Sequence, residues 1–540
     1  MNRRIATSLS SSAVALALVT ACSGPVEISV SLVDPCNQDA VATMDFLRFE
    51  PRGTDIDSVG LSTIQAQEDG TTQPIEIPLA EDFQLVVTGH RGSFDQAPSG
   101  IGVSARTDLT RASGAVDIQV PFALVNSFYK TTSLGDPEQC TDLQVGRFGA
   151  TATFIPDNGK VLIVGGATLV SLTQDVTELE YTRVVEMYDP STGTFERVAE
   201  LRVGQARLFH TATYIGDGQV LVAGGENRVD GATVALKSAF IIDAKDAGAV
   251  KPRSETLVLR EARSGHTATA LPDGRVLITG GRDLVGGSSR PEDQLYSGSV
   301  EIFTPADSAF TYVNDANGNA LTLDARYGHS AVLMPASGDV QQIMVSGGMN
   351  ASGPVLGVDL VTVDPNNKGT KDTSADQLGV GAIFHAASIT DTGSVLLSGG
   401  YGRIQDAEPS GQLPQNPSAS VEMWTLEGSR VRRICTANLV EGRGFHTATV
   451  VGRRAVFVGG RGSTGQPLAS AEVAVLALGA ACFAEPPTTQ QMSDPRTSHA
   501  VARIESSGEV LIVGGRRQES ASDFGQSLST AEIFSPARDP

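Results

Sequence analysis

Residues 207–225 read RLFHTATYIGDGQVLVAGG, residues 263–281 read RSGHTATALPDGRVLITGG, and residues 443–460 read RGFHTATVVGRRAVFVGG. The shared phrase is Arg-x-x-His-(Thr/Ser/Ala)-Ala, then a short turn, then a β-branched run that ends in Gly-Gly. Six of the 7 histidines occupy the same place in it: His210, His266, His329, His385, His446 and His499, with only His90 outside. Self-similarity at a fixed period decides the architecture before any local signal does. It also changes how each residue is read. Catalysis uses one asymmetric site, so a side chain used in every copy is first of all a candidate for holding the fold together.

The Gly-Gly pairs begin at Gly165, Gly224, Gly280, Gly347, Gly399, Gly459 and Gly514, spaced 52 to 67 residues apart. A second phrase follows each pair: VEMYDP from Val185, VEIFTP from Val300, VEMW from Val421, AEIFSP from Ala531, and looser forms from Ala239, Val358 and Ala471. In the first copy the strands predicted are ATATFIP, KVLIVGG, VVEMYDP and TFERVAE. One such sheet cannot cover both of its faces, but radial packing of seven covers them all and leaves only short edges. The last copy begins near Arg496 and supplies three strands. A segment between Ala123 and Leu143 is therefore predicted to provide the fourth and close the ring.

The unit resembles a kelch repeat: an Arg-x-Gly-His-like start, a strand ending in Gly-Gly, and a strand with a Tyr/Phe-Asp-Pro-like end. The resemblance runs from Gly146 to the end of the chain. Most copies lack the usual terminal Trp, and the single Trp, Trp424, falls in a third strand instead. The resemblance implies an all-β fold, a seven-bladed kelch-like β-propeller. In animal kelch propellers the matching Arg of some blades contacts acidic peptides. The sugar-oxidising copper enzymes also use kelch propellers, but their site needs a thioether-linked Cys-Tyr pair with two His. No cysteine here lies suitably for that by pattern.

Ahead of the repeats, residues 23–122 show period-two segments such as VEISVSLV and IEIPLAEDFQLVV, separated by Gly, Pro and Asp. Such alternation predicts a small antiparallel β-sandwich, similar in pattern to immunoglobulin-like or transthyretin-like modules. Residues 123–143 then form a connector, and residues 144–540 the propeller. Residues 1–22 read as an export signal: Arg3 and Arg4, an apolar stretch, then Val19-Thr20-Ala21-Cys22. That ending resembles a bacterial lipobox, which implies lipidation of Cys22 and membrane contact through the lipid only. Ser23 is not the Asp that would retain a lipoprotein at an inner membrane, so an outer-membrane or cell-surface location is expected.

The chain has 540 residues and a formal net charge of -21, from 61 acidic and 40 basic side chains. That balance opposes nucleic-acid binding, which works by neutralising phosphates. With Cys22 lipidated, Cys36, Cys140, Cys435 and Cys482 remain, and an even count in an exported chain suggests disulfides. Three pairings are open; Cys36 with Cys140 is favoured, as it would staple the N-terminal region to the start of the repeats. No Cys/His spacing suits zinc. Asp315-Ala-Asn317-Gly-Asn319 is only loosely like a calcium loop, because Arg326 stands where the closing acid belongs. There is no Gly-x-Ser-x-Gly elbow, His-Glu-x-x-His or phosphate loop.

Candidate ligand contacts follow from position. Arg147, Arg207, Arg263, Arg326, Arg443 and Arg496 precede the histidine position by three, and copy five has Ala382 there. The second phrase carries Glu186, Glu301, Asp359, Glu422, Glu472 and Glu532, and copy two has Phe240. Matching counts of base and acid predict repeated Arg–carboxylate contacts. The alternative is that the arginines ring a channel mouth. Residues after Gly-Gly vary more: Ala167, Glu226, Arg282, Met349, Tyr401, Arg461 and Arg516. Variable loops on a rigid scaffold carry specificity, so Glu226, Arg282, Tyr401, Arg461 and Arg516 join the candidates. The long insertions that start at Ala167, Arg282 and Tyr401 extend the same surface. The reading is a non-enzymatic surface lipoprotein that binds a protein or a glycan, with no catalytic residue, cofactor or metal assigned. A carbohydrate-active enzyme with a site at the channel mouth is the alternative.

Overall fold

The computed structural model describes residues 14–21, 24–33, 40–53, 62–65, 81–93, 97–110, 115–134, 136–173, 176–253, 255, 257–284, 294–335, 338–379, 381–403, 414–479, 481–518 and 525–537. Strands dominate, and no helix among these residues is long and apolar enough to cross a membrane. Each copy of the repeat builds one antiparallel sheet. In sheet 1 the order is Thr151–Ile155, Lys160–Val164, Val184–Asp189 and Thr194–Glu200. The same order recurs in the six sheets that follow. The first two strands of every sheet come from the His phrase and the run before Gly-Gly. The third comes from the second phrase; in sheet 5 it is Ser420–Glu427 and carries Trp424.

Sheet 7 consists of Ala500–Ile504, Glu509–Val513, Ala531–Ser535 and, as its outermost strand, Ser127–Lys130. Glu532 pairs with Lys130, Ile533 with Tyr129 and Phe534 with Phe128. The chain thus completes its last sheet with a strand that precedes its first. Tyr129 Oη donates to Glu509 at 2.5 Å, and the Phe128 and Phe534 rings lie 5.1 Å apart.

The sheets meet face to face in succession. A separate apolar cluster fills each junction: Leu162 and Val164 against Val220 and Val222 between sheets 1 and 2, for example. Val456 and Val458 meet Val510 and Ile512 between sheets 6 and 7, and Val161 and Ile163 meet Leu511 and Val513 between sheets 1 and 7. The innermost strands touch around the axis, and Thr447 of sheet 6 bonds His499 beside sheet 7. Alternating burial makes this work, because each sheet offers apolar side chains to both neighbours.

The N-terminal region forms a seven-stranded sheet in the order Val14–Ala21, Gly24–Val33, Ala115–Leu124, Gly100–Val103, Gln84–His90, Phe46–Arg52 and Ser62–Gln65. The long strand Ala115–Leu124 belongs to both halves. Its start pairs in parallel with Gly24–Val33, and its end pairs antiparallel with Gly100–Val103. The halves enclose one core of Val30, Leu32, Leu47, Phe49, Leu85, Val87, Ile118 and Val120. The wholly antiparallel pattern expected from sequence is therefore corrected at one pair. Those two strands are joined by a long connection rather than a hairpin, and a long connection permits parallel pairing. Val14–Ala21, inside the segment read as an export signal, is the edge strand beside Gly24–Val33.

Cys22 and Cys36 lie outside the described residues. Cys140 is disulfide-bonded. Cys435 and Cys482 form a disulfide that ties the outer strand of sheet 5 to the edge of sheet 6.

Candidate functional site

The repeated residues form the frame of a central channel. Each of the six arginines donates to the carbonyl of the first glycine in its own Gly-Gly: Arg263 to Gly280 at 2.7 Å, Arg443 to Gly459 at 2.9 Å and Arg496 to Gly514 at 3.0 Å. Arg147, Arg207 and Arg326 do the same with Gly165, Gly224 and Gly347. Five also reach the acid of the second phrase. Arg263 meets Glu301 at 2.5 Å, Arg326 meets Asp359 at 2.5 Å, Arg443 meets Glu472 at 2.7 Å and Arg496 meets Glu532 at 2.9 Å, while Arg147 pairs with Glu186.

The two irregular copies solve the same problem differently. Arg207, whose acid is replaced by Phe240, lies over that ring at 4.8 Å and donates to the Ser238 carbonyl. Burial lowers its pKa to about 9. Glu422, whose copy has Ala382 in place of the repeated Arg, accepts from Trp424 Nε1 at 3.0 Å, Gly379 N at 2.8 Å and Arg433 at 3.1 Å. All six arginines are 0–1 % exposed. In this structure none of Arg147, Arg207, Arg263, Arg326, Arg443 and Arg496 presents a surface to a ligand, because each is fully buried and its terminal nitrogens bond backbone carbonyls and its partner.

The histidines clip each sheet to the one before it. The Nε2 atoms of His210, His266, His329, His385 and His499 lie 2.8 to 3.1 Å from the hydroxyls of Thr151, Thr211, Thr267, Ser330 and Thr447. His446 bonds Ser398 at 2.8 Å. In copy five His385 Nδ1 lies 2.9 Å from the Ala382 carbonyl, which fixes the proton on Nδ1 and leaves Nε2 to accept. Gly-Gly makes room for these rings. A Cβ on Gly280 would stand 2.4 Å from His329 Cε1, and one on Gly165 would stand 2.5 Å from His210 Cε1. Burial, with the arginine charges second, lowers the pKa of His210 and His499 to about 3. Burial alone lowers His385 to about 4. His266, His329 and His446 also fall well below the usual imidazole range, with burial the main cause. Among the described residues no group of three His, Cys, Asp or Glu is placed to hold a metal ion.

The channel mouth is set by the residue just before each histidine position. These residues are Gly149, Phe209, Gly265, Gly328, Phe384, Phe445 and Ser498, and all have φ between 51° and 66°. Three phenylalanines and a serine thus sit where glycine is favoured, at a cost of ~1–2 kcal/mol each. All seven line one cavity of about 340 Å³, together with the six histidines, Ala150, Tyr327 and Thr447. Among the described residues its wall contains no carboxylate and no guanidinium. Sequence reading passed over Phe209, Phe384 and Phe445. The signal available was a large residue at the glycine place of Arg-x-Gly-His.

The lining is lopsided. Tyr327 and Phe384 meet edge to face at 5.2 Å, and Phe384 stacks on Phe445 at 4.2 Å. Tyr401 backs Phe445 at 5.7 Å. This aromatic wall spans sheets 4 to 6, while Gly149, Gly265 and Ser498 leave space elsewhere. A backbone ladder also circles the mouth: Gly149 N donates to Ser498 O, Phe209 N to Gly149 O, Gly265 N to Phe209 O, Phe384 N to Gly328 O and Phe445 N to Phe384 O.

The variable residues after Gly-Gly form the next ring outward. Each bridges to the residue after the arginine position: Leu208 with Glu226, Ser264 with Arg282, Ile383 with Tyr401, Gly444 with Arg461 and Thr497 with Arg516. Short hairpins rise from this ring, such as Ala167–Thr173 with Val176–Tyr181. Ser264 Oγ donates to Glu226 at 2.9 Å. Arg282 covers Tyr327 at 4.0 Å and donates to Gln294. Arg461 donates to Gly465 O and Gln518 Oε1, and burial with the neighbouring Arg516 charge lowers its pKa to about 10. Arg516 lies over Phe148 at 5.5 Å. Tyr401 is 0 % exposed, Arg461 6 % and Glu226 7 %, so Arg282 and Arg516 are the more open members of that set. Asp315 Oδ1 accepts from the amides of Asn317 and Asn319, which makes that segment a tight turn.

No known protein family and no curated protein matches this chain. Among solved structures, YjhT matches with a TM-score of 0.43 and 15% identity, over 65% of this chain and 99% of that chain. A fungal alcohol oxidase of the AA5 family, solved in complex with copper, matches with a TM-score of 0.48 and 15% identity, over 72% of this chain and 75% of that chain. Both likenesses are of overall fold alone.

Proposed function

We propose that the chain is an exported, non-enzymatic binding module, a seven-bladed kelch-like propeller that takes a protein or a glycan at the hairpin-bearing mouth of its channel. One observation carries this reading. The repeated polar residues are consumed by the frame, whereas the irregular ones (Phe209, Tyr327, Phe384, Phe445, Arg282, Arg516) collect at a single mouth. The six imidazoles there are held neutral by burial, so among the described residues of the cavity wall no histidine is poised to exchange a proton near pH 7. Cys22 is the lipid site, and the lipid is the membrane contact, which puts the molecule at the outer membrane or the cell surface. A glycan array and an envelope-protein capture with the full chain test the binding role. Binding is lost when the three long insertions, residues 167–183, 282–299 and 401–420, are changed to alanine. Binding that survives all three changes overturns the mouth as the site. Mass spectrometry of the mature N-terminus tests the anchor: an unmodified Cys22 removes it.

A further inference from the structure

The backbone ladder around the mouth is broken at two places. It has no bond from Gly328 N to Gly265 O and none from Ser498 N to Phe445 O. At each break one amide donor and one carbonyl acceptor stand at the cavity wall, between sheets 3 and 4 and between sheets 6 and 7. The breaks flank the aromatic wall of Tyr327, Phe384 and Phe445. Backbone groups at a cavity wall with no protein partner are left to water, and a ligand that offers both a donor and an acceptor replaces that water.

Among the described residues the cavity therefore combines an aromatic wall with a donor–acceptor pair at each end and no charge in its lining. We propose that it binds an uncharged terminal pyranose of a glycan, with the apolar C–H face of the sugar against the aromatic wall of Tyr327, Phe384 and Phe445. Vicinal hydroxyls both donate and accept, which is what each break requires. A cavity of about 340 Å³ falls within the range for small-ligand sites and fits one or two sugar units better than an oligosaccharide. A charged sugar is disfavoured, since a carboxylate entering this wall would find no counter-charge. The inference rests on the mouth being the binding site and adds the class of ligand.

The test is calorimetry and saturation-transfer NMR on the full chain. The probes are the methyl glycosides of glucose, galactose, mannose and N-acetylglucosamine, with glucuronate and galacturonate as charged counterparts. At least one neutral glycoside binds, and the uronate of the same ring binds about tenfold more weakly or not at all. Phe384→Leu and Phe445→Leu stay apolar but remove the aromatic ring, and each weakens binding about tenfold. Phe384→Ala serves as the stronger form, read only with an unchanged melting curve. The proposal is overturned if no neutral glycoside binds, if a uronate binds as tightly, or if both leucine variants bind like the parent. If glycosides fail but capture of an envelope protein is still abolished by alanine changes in the insertions, the mouth stands and the sugar does not.

Discussion

Acidification over one narrow window strikes the frame at six points at once. His210, His266, His329, His385, His446 and His499 are all held neutral by burial, with folded pKa values far below 6.5. In the unfolded chain each returns to about 6.5. Below that value the unfolded state binds more protons than the folded one, so stability is complete above pH 6.5 and is lost as pH falls. At pH 5.5 each imidazole costs on the order of 1 kcal/mol, and the six together cost several kcal/mol. A whole domain is stable by only about 5–15 kcal/mol, so the loss is large. Ordinary carboxylates titrate near 4, which leaves the window to the imidazoles. Urea unfolding at pH 7.5, 6.5 and 5.5, followed by far-ultraviolet circular dichroism, reads the effect as a falling midpoint. His266→Gln keeps a side chain that can bond Thr211 but does not titrate, so it removes about one sixth of the pH-dependent loss. A midpoint that stays constant from pH 7.5 to 5.5 would refute the assignment of these rings as buried neutral clips.

Four further outcomes follow from single contacts. Glu301→Gln removes the close partner of buried Arg263, leaving it only the more exposed Glu261 at 3.6 Å, and lowers stability by about 3 kcal/mol, read by urea unfolding at pH 7.5. Gly280→Ala places a methyl 2.4 Å from His329 Cε1 at a φ of 61°, and costs ~2 kcal/mol or more. Gly204→Ala, also at positive φ but with nothing within 4 Å of its Cβ, costs less in the same assay. Ser498→Gly relieves a left-handed backbone at φ 52° and raises stability by about 0.5–1 kcal/mol in thermal melts. Removing the Cys435–Cys482 bond with a double serine variant lowers stability by about 2–4 kcal/mol.

The frame was legible because each of its parts is repeated. The Arg, His and Gly-Gly positions announce strand order, and the missing fourth strand of the last copy pointed to the segment that contains Ser127–Lys130. The paired Arg and acid positions also predicted ion pairs, which Arg263–Glu301 and Arg443–Glu472 exemplify. What repetition could not convey is anything that depends on a copy being different. Phe384 and Phe445 stand where a kelch-like start has glycine, but a phenylalanine beside a histidine in a β protein reads as core until the left-handed backbone turns it to the channel. The Arg207–Phe240 stack and the Glu422–Trp424 contact are likewise invisible, since each is a local repair of a lost partner. The Cys435–Cys482 bond agrees with the pairing left over when Cys36 is joined to Cys140, but spacing alone could not choose among the three, because closeness depends on how two sheets are juxtaposed.

The account depends on a ring of seven sheets closed by a strand from before the first repeat. A crystal structure of the full chain measures this directly. The prediction is seven sheets around one axis, with Ser127–Lys130 hydrogen-bonded to Ala531–Ser535 as the outer strand of the last. Six or eight sheets, an open arc, or Ser127–Lys130 paired elsewhere would contradict it.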